Sequence, residues 1–161
     1  MARCLIIGCG CRGRELARSL VERGHVVRGT TRDPESAGAI TAAAAEPIVG
    51  DPDRVATLVD ALEHVTVVCV LLGSAEGSPE KLAALHGPRL EMLLTKLVDT
   101  TVRGVVYETR GSVDSGVLRG GAELVRRYGE QSLAEALLLD ADPSDRPAWL
   151  VSALEAVEAV L

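Results

Sequence analysis

The sequence predicts an α/β fold: a single domain, residues 1–161, built on one doubly wound parallel sheet. Three observations lead there. Short β-branched runs alternate with longer helical patterns from one end to the other. Several of those runs are apolar at every position, as in strands covered by helices on both faces. A strand, a glycine-rich turn and a helix open the chain in that order.

Candidate strands fall at 3–7, 25–31, 46–49, 65–72, 103–108 and 134–139. The run Val65-Thr-Val-Val-Cys-Val-Leu-Leu72 is the clearest buried strand. Asp33-Pro34, Asp51-Pro52, Ser78-Pro79 and Asp142-Pro143 each pair a capping side chain with a proline. Proline suits the first helical position, where its missing N–H has no intrahelical partner, so each pair predicts a helix start. The last segment carries Leu150, Ala153, Leu154, Val157 and Leu161 on one apolar stripe. Six strands alternating with helices are most simply ordered 3-2-1-4-5-6.

Hydrophobic residues make up 47% of the chain, yet no apolar run reaches the roughly 18–20 residues needed to span a bilayer. The opening apolar run is too short for a signal peptide and a turn follows at once, so a cytoplasmic location is expected. Net charge is −6 and the basic residues are scattered, which argues against nucleic acid. Cys4, Cys9, Cys11 and Cys69 show no paired C-x-x-C spacing, so no zinc site is expected and buried reduced thiols are.

The chemistry-bearing segment is Gly8-Cys9-Gly10-Cys11-Arg12-Gly13, a G-x-G-x-x-G between strand and helix. Gly8 suits a tight turn closed to other residues. Gly10, without a side chain, lets a diphosphate reach the backbone, and Gly13 lets helix and strand pack closely. The helix N-terminus then offers free N–H groups to phosphates. Arg12 reads either as a cover or added charge for that ligand, or as a solvated first-turn residue.

The second strand ends Thr31-Arg32-Asp33-Pro34. A domain that prefers NAD places an acid here for the ribose hydroxyls, whereas a guanidinium suits the 2′-phosphate of NADP. Asp33 is better explained as a helix cap, so NADP is expected, with NAD the alternative. Asp51 faces the adenine or caps the helix at Pro52. Leu72-Gly73-Ser74 ends the fourth strand, with small residues beside the expected ribose. FAD and S-adenosylmethionine are weaker readings, since they too favour an acid after the second strand.

Together the glycine turn, the Gly24-His25 opening of the second strand, Thr31-Arg32-Asp33-Pro34 and Gly50-Asp51 resemble atypical short-chain dehydrogenase/reductases of the NAD(P)-binding epimerase/dehydratase type. The likeness covers residues 1–75 well and the rest by topology. It implies a Rossmann fold, NAD(P)(H) across the glycine turn, and Thr31, Arg32 and Asp51 around the adenosine half. It also implies a catalytic Tyr with a Lys four residues on, which this sequence lacks. Gly111 follows Tyr107 and Ser132 follows Tyr128 at that spacing, and Lys81 and Lys96 both precede the tyrosines. No catalytic residue is therefore assigned, and the family's C-terminal substrate-binding extension is expected to be missing or reduced to the last helix.

Thr109, Ser112 and Ser115 stand where the family's hydroxyl lies, but hydroxyls in a loop are ordinarily turn formers. His86 reads as a structural histidine or an acid/base group near a helix break. Glu108 and Arg110, at the end of the fifth strand, are the best candidates for contacts to a small-molecule substrate, although a salt-bridged strand end is the favoured reading. Two functions follow: a dinucleotide-binding or redox-sensing module, or an oxidoreductase with a non-standard catalytic set. Paired copies, through the helices beside strands four and five, are plausible for this fold.

Overall fold

A computed structural model describes residues 1–161. The strands β1 (Arg3–Ile7), β2 (Val26–Thr31), β3 (Glu46–Val49), β4 (Val67–Val70), β5 (Gly104–Glu108) and β6 (Glu135–Leu139) form one sheet. Its order is β3-β2-β1-β4-β5-β6 and every pairing is parallel. The expected order is the observed one. Helices α1 (Cys11–Glu22), α2 (Ala37–Ala42), α3 (Pro79–Ala84), α4 (Leu90–Leu97), α5 (Ser115–Gln131) and α6 (Arg146–Ala159) connect and cover it.

Alternation along the central strands divides the apolar runs between two cores. Cys4, Ile6, Val67 and Cys69 point to the face covered by α1 and α6. Leu5, Ile7, Val68 and Val70 point to the face covered by α4 and α5. Side chains of this size contribute roughly 1.5–3 kcal/mol each when fully buried, so both faces are strongly specified.

Element boundaries moved where side chains found partners other than a helix or ladder. Asp51 does not start a helix at Pro52. Its Oδ1 accepts from the Asp53 amide at 2.9 Å, Thr57 Oγ1 bonds the Asp51 backbone, and only 3-10 turns at Val55–Leu58 and Asp60–Leu62 follow. Such side-chain-to-backbone bonds compete with helix formation. Asp142 behaves alike, accepting from the Ser144 amide, and α6 starts later under an Asp145 cap on the Ala148 amide. Asp33-Pro34 and Ser78-Pro79 cap as expected, the first over a 3-10 turn, Pro34–Ser36, that leads into α2. In α6 the buried stripe is centred on Trp149, while Leu161 lies beyond the helix and is exposed. No helix is long and apolar enough to cross a membrane.

Candidate functional site

The turn between β1 and α1 is built around its glycines. Gly8 sits at φ +85°, and a Cβ there would lie 2.5 Å from the Leu71 carbonyl oxygen. A Cβ on Gly13 would stand 3.1 Å from the Gly8 carbonyl oxygen and 3.3 Å from Ile6 Cγ2, so helix and strand are in close contact. Gly10 faces open space. No side chain caps α1, and the Arg14 amide is the first to bond back, to Gly10. The amides of Cys11, Arg12 and Gly13 therefore face the mouth without protein partners, where the helix dipole favours an anion.

Around that mouth runs a cleft of about 510 Å³. Gly8, Cys9, Gly10, Cys11, Arg12 and Gly13 line its middle, and Thr31, Arg32, Ser36, Gly50, Pro52 and Asp53 line one end. At the other end stand Leu72, Ser74, Ala75, Glu76, Lys81, Leu82 and Leu85, with Pro143 and Arg146 over the rim. Of the residues expected to bind the dinucleotide, Asp51 and Gly73 lie outside the lining. Asp51 is held in its own turn. Gly73 is packed beneath, where a Cβ would meet Glu108 Oε1 at 2.9 Å.

The thiols divide. Cys4, Cys9 and Cys69 are buried, and burial pushes Cys4 and Cys9 up to about 11 and Cys69 well above its usual value. Cys11 departs from the buried-thiol expectation. As the first residue of α1 it is exposed, with Arg14 Nη2 3.3 Å from its sulfur. No group of three His, Cys, Asp or Glu side chains is placed to hold a metal ion.

Arg12 is neither solvated nor free. Its Nη2 donates to both oxygens of Glu108, at 3.1 and 3.0 Å, and its guanidinium lies 5.3 Å from the Trp149 ring centre. Its Nε is buried without a partner. Glu108 is 0% exposed and also accepts from the Gly73 amide at 3.0 Å and Trp149 Nε1 at 2.9 Å. The structure thus turns Glu108 away from the cleft and bears out the salt-bridged strand end, the reading the sequence favours over a substrate contact. Arg110 points to the surface, 3.9 Å from Asp142. No residue of β5 or of the loop after it lines the cleft.

His86 belongs to a π-turn, Leu85–Arg89, that breaks the helix at Gly87 and Pro88. It is buried, its Nδ1 2.6 Å from the Tyr107 hydroxyl and its Nε2 3.0 Å from the Leu72 carbonyl oxygen. Desolvation lowers its pKa and raises that of Tyr107. Thr109 Oγ1 bonds Leu139 and Asp140, and Ser74 Oγ accepts from the Ser112 amide, so these hydroxyls tie loops together. Ser115 is the first residue of α5.

Sequence reasoning missed the Trp149 contact and the far-end group Glu76, Lys81, Leu82 and Leu85. The only tryptophan in a chain with 2% aromatic residues was the available signal for the first. Nothing local marked the second, which the crossover from β4 assembles.

A glycine-cradled, uncapped helix start in a crevice beyond the carboxyl ends of parallel strands defines a nucleotide-binding α/β domain. A family model described as NAD(P)H-binding matches residues 8–106, and the chain belongs to that family. The fold is shared with a short-chain dehydrogenase/reductase superfamily protein from Agrobacterium tumefaciens solved with bound NAD, at 22% identity and TM-score 0.70, over 84% of this chain and 48% of that one. UDP-glucuronic acid 4-epimerase from Bacillus cereus in complex with NAD matches at 14% identity and TM-score 0.68, over 84% and 54%. Vestitone reductase from alfalfa matches at 18% identity and TM-score 0.63, over 86% and 56%. This chain spans about half the length of these structures. No curated protein sequence matches it significantly.

The residues present fit the dinucleotide. The open space at Gly10 and the free amides of Cys11–Gly13 suit its diphosphate, and the cleft extends on both sides of them. When bound, the nicotinamide supplies hydride chemistry.

Proposed function

We propose that this domain binds NADP(H) in preference to NAD(H) and serves as a dinucleotide-binding or redox-sensing module. The observation that carries the preference is the end of β2. Arg32 lines the cleft and is paired with no carboxylate, while Asp33 spends its Oδ1 on the Glu35 amide at 2.9 Å. A planar cation free of any ion pair suits a 2′-phosphate. The diphosphate would lie on the Cys11–Gly13 amides, with Gly8, Cys9 and Gly10 beneath it and Leu72 and Ser74 toward the nicotinamide ribose.

The sensing reading is supported by the shut end of β5. Glu108 is locked under Arg12 and Trp149, and Tyr107 is fully buried, so neither side chain reaches the cleft. The other reading, an NADP-dependent oxidoreductase or epimerase-like enzyme acting on a small carbonyl, would need an acid/base group brought to the cleft from elsewhere. Four free thiols suit the reducing cytoplasm. Exposed Met92 on α4, and Val98 just beyond it, make pairing of two copies through that helix part of the proposal.

Calorimetric titration with NADPH and NADH tests the core of it. NADPH is expected to bind at least about tenfold tighter, a margin of about 1.4 kcal/mol, and Arg32→Ala to abolish the difference. Equal affinity in the parent protein would overturn the NADP assignment. NADPH consumption with a panel of small carbonyls should stay at background, and turnover would favour the enzyme reading. Sedimentation velocity reports the pairing.

A further inference from the structure

We infer that Glu76 and Lys81 recognise the carboxamide of the nicotinamide ring, and so discriminate among dinucleotides that differ only there. The inference rests on the reading that Arg32 marks the adenosine end. The glycine turn lies in the middle of the cleft, so the ring falls at the opposite end. Leu72, Leu82 and Leu85 provide apolar walls there, suited to a flat heterocycle, and Glu76 and Lys81 are the charged side chains of that end that are not ion-paired, Arg146 at the rim being bound to Glu15.

Both charges are unspent. Neither is paired with any opposite charge, nor with the other, although five positions separate them. Their places are fixed locally: Ser78 Oγ caps α3 by accepting from the Lys81 amide at 3.2 Å, and Gly77 joins Glu76 to that cap. A carboxamide carries a carbonyl acceptor and an NH₂ donor on one carbon. An ammonium and a carboxylate are the complement of that pair, and bonds to charged partners are the stronger class. A neutral ligand group that bridges two opposite charges satisfies both without either being neutralised.

The test is binding of four ligands to the full chain: NADP⁺, its 3-acetylpyridine analogue, its nicotinic acid analogue, and 2′-phospho-ADP-ribose, which has no ring. The acetyl group keeps the acceptor and loses the donor, and the carboxylate meets Glu76 as a like charge. NADP⁺ should bind about tenfold tighter than either ring analogue, as expected for a bond to a charged group, and 2′-phospho-ADP-ribose should bind more weakly than NADP⁺. Glu76→Gln removes the repulsion and should restore the nicotinic acid analogue to within about threefold of NADP⁺. Lys81→Met should weaken all three ring-bearing ligands, and Lys81→Arg should recover them.

Ring-less 2′-phospho-ADP-ribose should bind every variant alike. Equal affinity for the three ring-bearing ligands, or variant effects equally large on 2′-phospho-ADP-ribose, would overturn the carboxamide assignment alone. Failure of both NADP⁺ and 2′-phospho-ADP-ribose to bind the parent protein would instead overturn the dinucleotide reading beneath it, and this inference with it.

Discussion

Glu108 and Arg12 join the end of β5 to the start of α1, Nη2 of the arginine lying 3.1 and 3.0 Å from the two carboxylate oxygens. The pair is 96 residues apart in sequence and sits where the glycine turn meets the sheet. Trp149 Nε1 and the Gly73 amide complete the set of donors on the acid, so one buried carboxylate binds α1, α6 and the loop after β4. Removing it would leave three donors facing a hole. Glu108→Ala should therefore cost about 3–5 kcal/mol of unfolding free energy, and Glu108→Gln less, because the amide oxygen still accepts. Urea denaturation followed by Trp149 fluorescence measures both, and a Glu108→Ala loss below about 1 kcal/mol would refute the hub role.

The sheet was legible because its signals are local. Period and composition mark Cys4–Ile7 and Val67–Val70 as buried strands, and parallel βα alternation leaves few orders open. The glycine turn was legible because each glycine is required by backbone geometry at its own position. The partners of Glu108 were not legible, because they come from α1 and α6 and sequence spacing carries no sign of a contact across 96 residues. Asp51 and Asp142 were misread as helix caps because an Asx turn and an N-cap use the same residue pair, Asp-Pro. What separates them is whether the following amides are free to join a helix.

Thiol reactivity separates the mouth of the cleft from the core. Cys4 and Cys9, pushed up to about 11, and Cys69 are buried, whereas Cys11 is exposed at a helix start beside Arg14. Thiolate is the reactive form, so near neutral pH the native protein should titrate as one thiol with an aromatic disulfide reagent and as four after denaturation. Saturating NADPH should slow the single reaction several-fold if the dinucleotide covers that turn. More than one fast thiol in the native state would contradict the burial described.

Gly8 and Gly10 should fail differently when a methyl group is added. Gly8→Ala places a side chain at φ +85° and 2.5 Å from a carbonyl oxygen, so it should lose about 1–3 kcal/mol of stability. The Cβ of Gly10→Val meets no atom within 4 Å, so its melting temperature should stay within about 2 °C of the parent. The valine would instead fill the space left for a diphosphate, lowering NADPH affinity at least about a hundredfold, or about 2.7 kcal/mol. Normal binding by a folded Gly10→Val protein would remove the diphosphate from that position.

His86 and Tyr107 set opposite pH limits on stability. Burial lowers the His86 pKa below its ordinary 6.5, so between the folded and unfolded values the unfolded chain binds more protons. The stabilisation is present above 6.5 and is lost as pH falls through that window toward the folded value. Tyr107 is raised above its ordinary 10.0 by burial and by the neighbouring Glu108 charge. Its contribution is present below 10.0 and is lost as pH rises past it, because only the unfolded phenol then ionises. The short contact between the two, 2.6 Å from Nδ1 to the hydroxyl oxygen, fits a neutral imidazole that donates from Nε2 to Leu72 and accepts from the phenol. Unfolding free energy from urea titrations should therefore decline below about 6.5 and above about 9, where the buried thiols of Cys4, Cys9 and Cys69 join Tyr107, each unit of pKa displacement being worth about 1.4 kcal/mol. His86→Gln should flatten the acid limb and leave the alkaline limb in place, whereas Tyr107→Phe should keep the acid limb and make the alkaline limb shallower, the buried thiols accounting for what remains. An acid limb unchanged in His86→Gln would mean that carboxylates, not this imidazole, govern stability below pH 6.5.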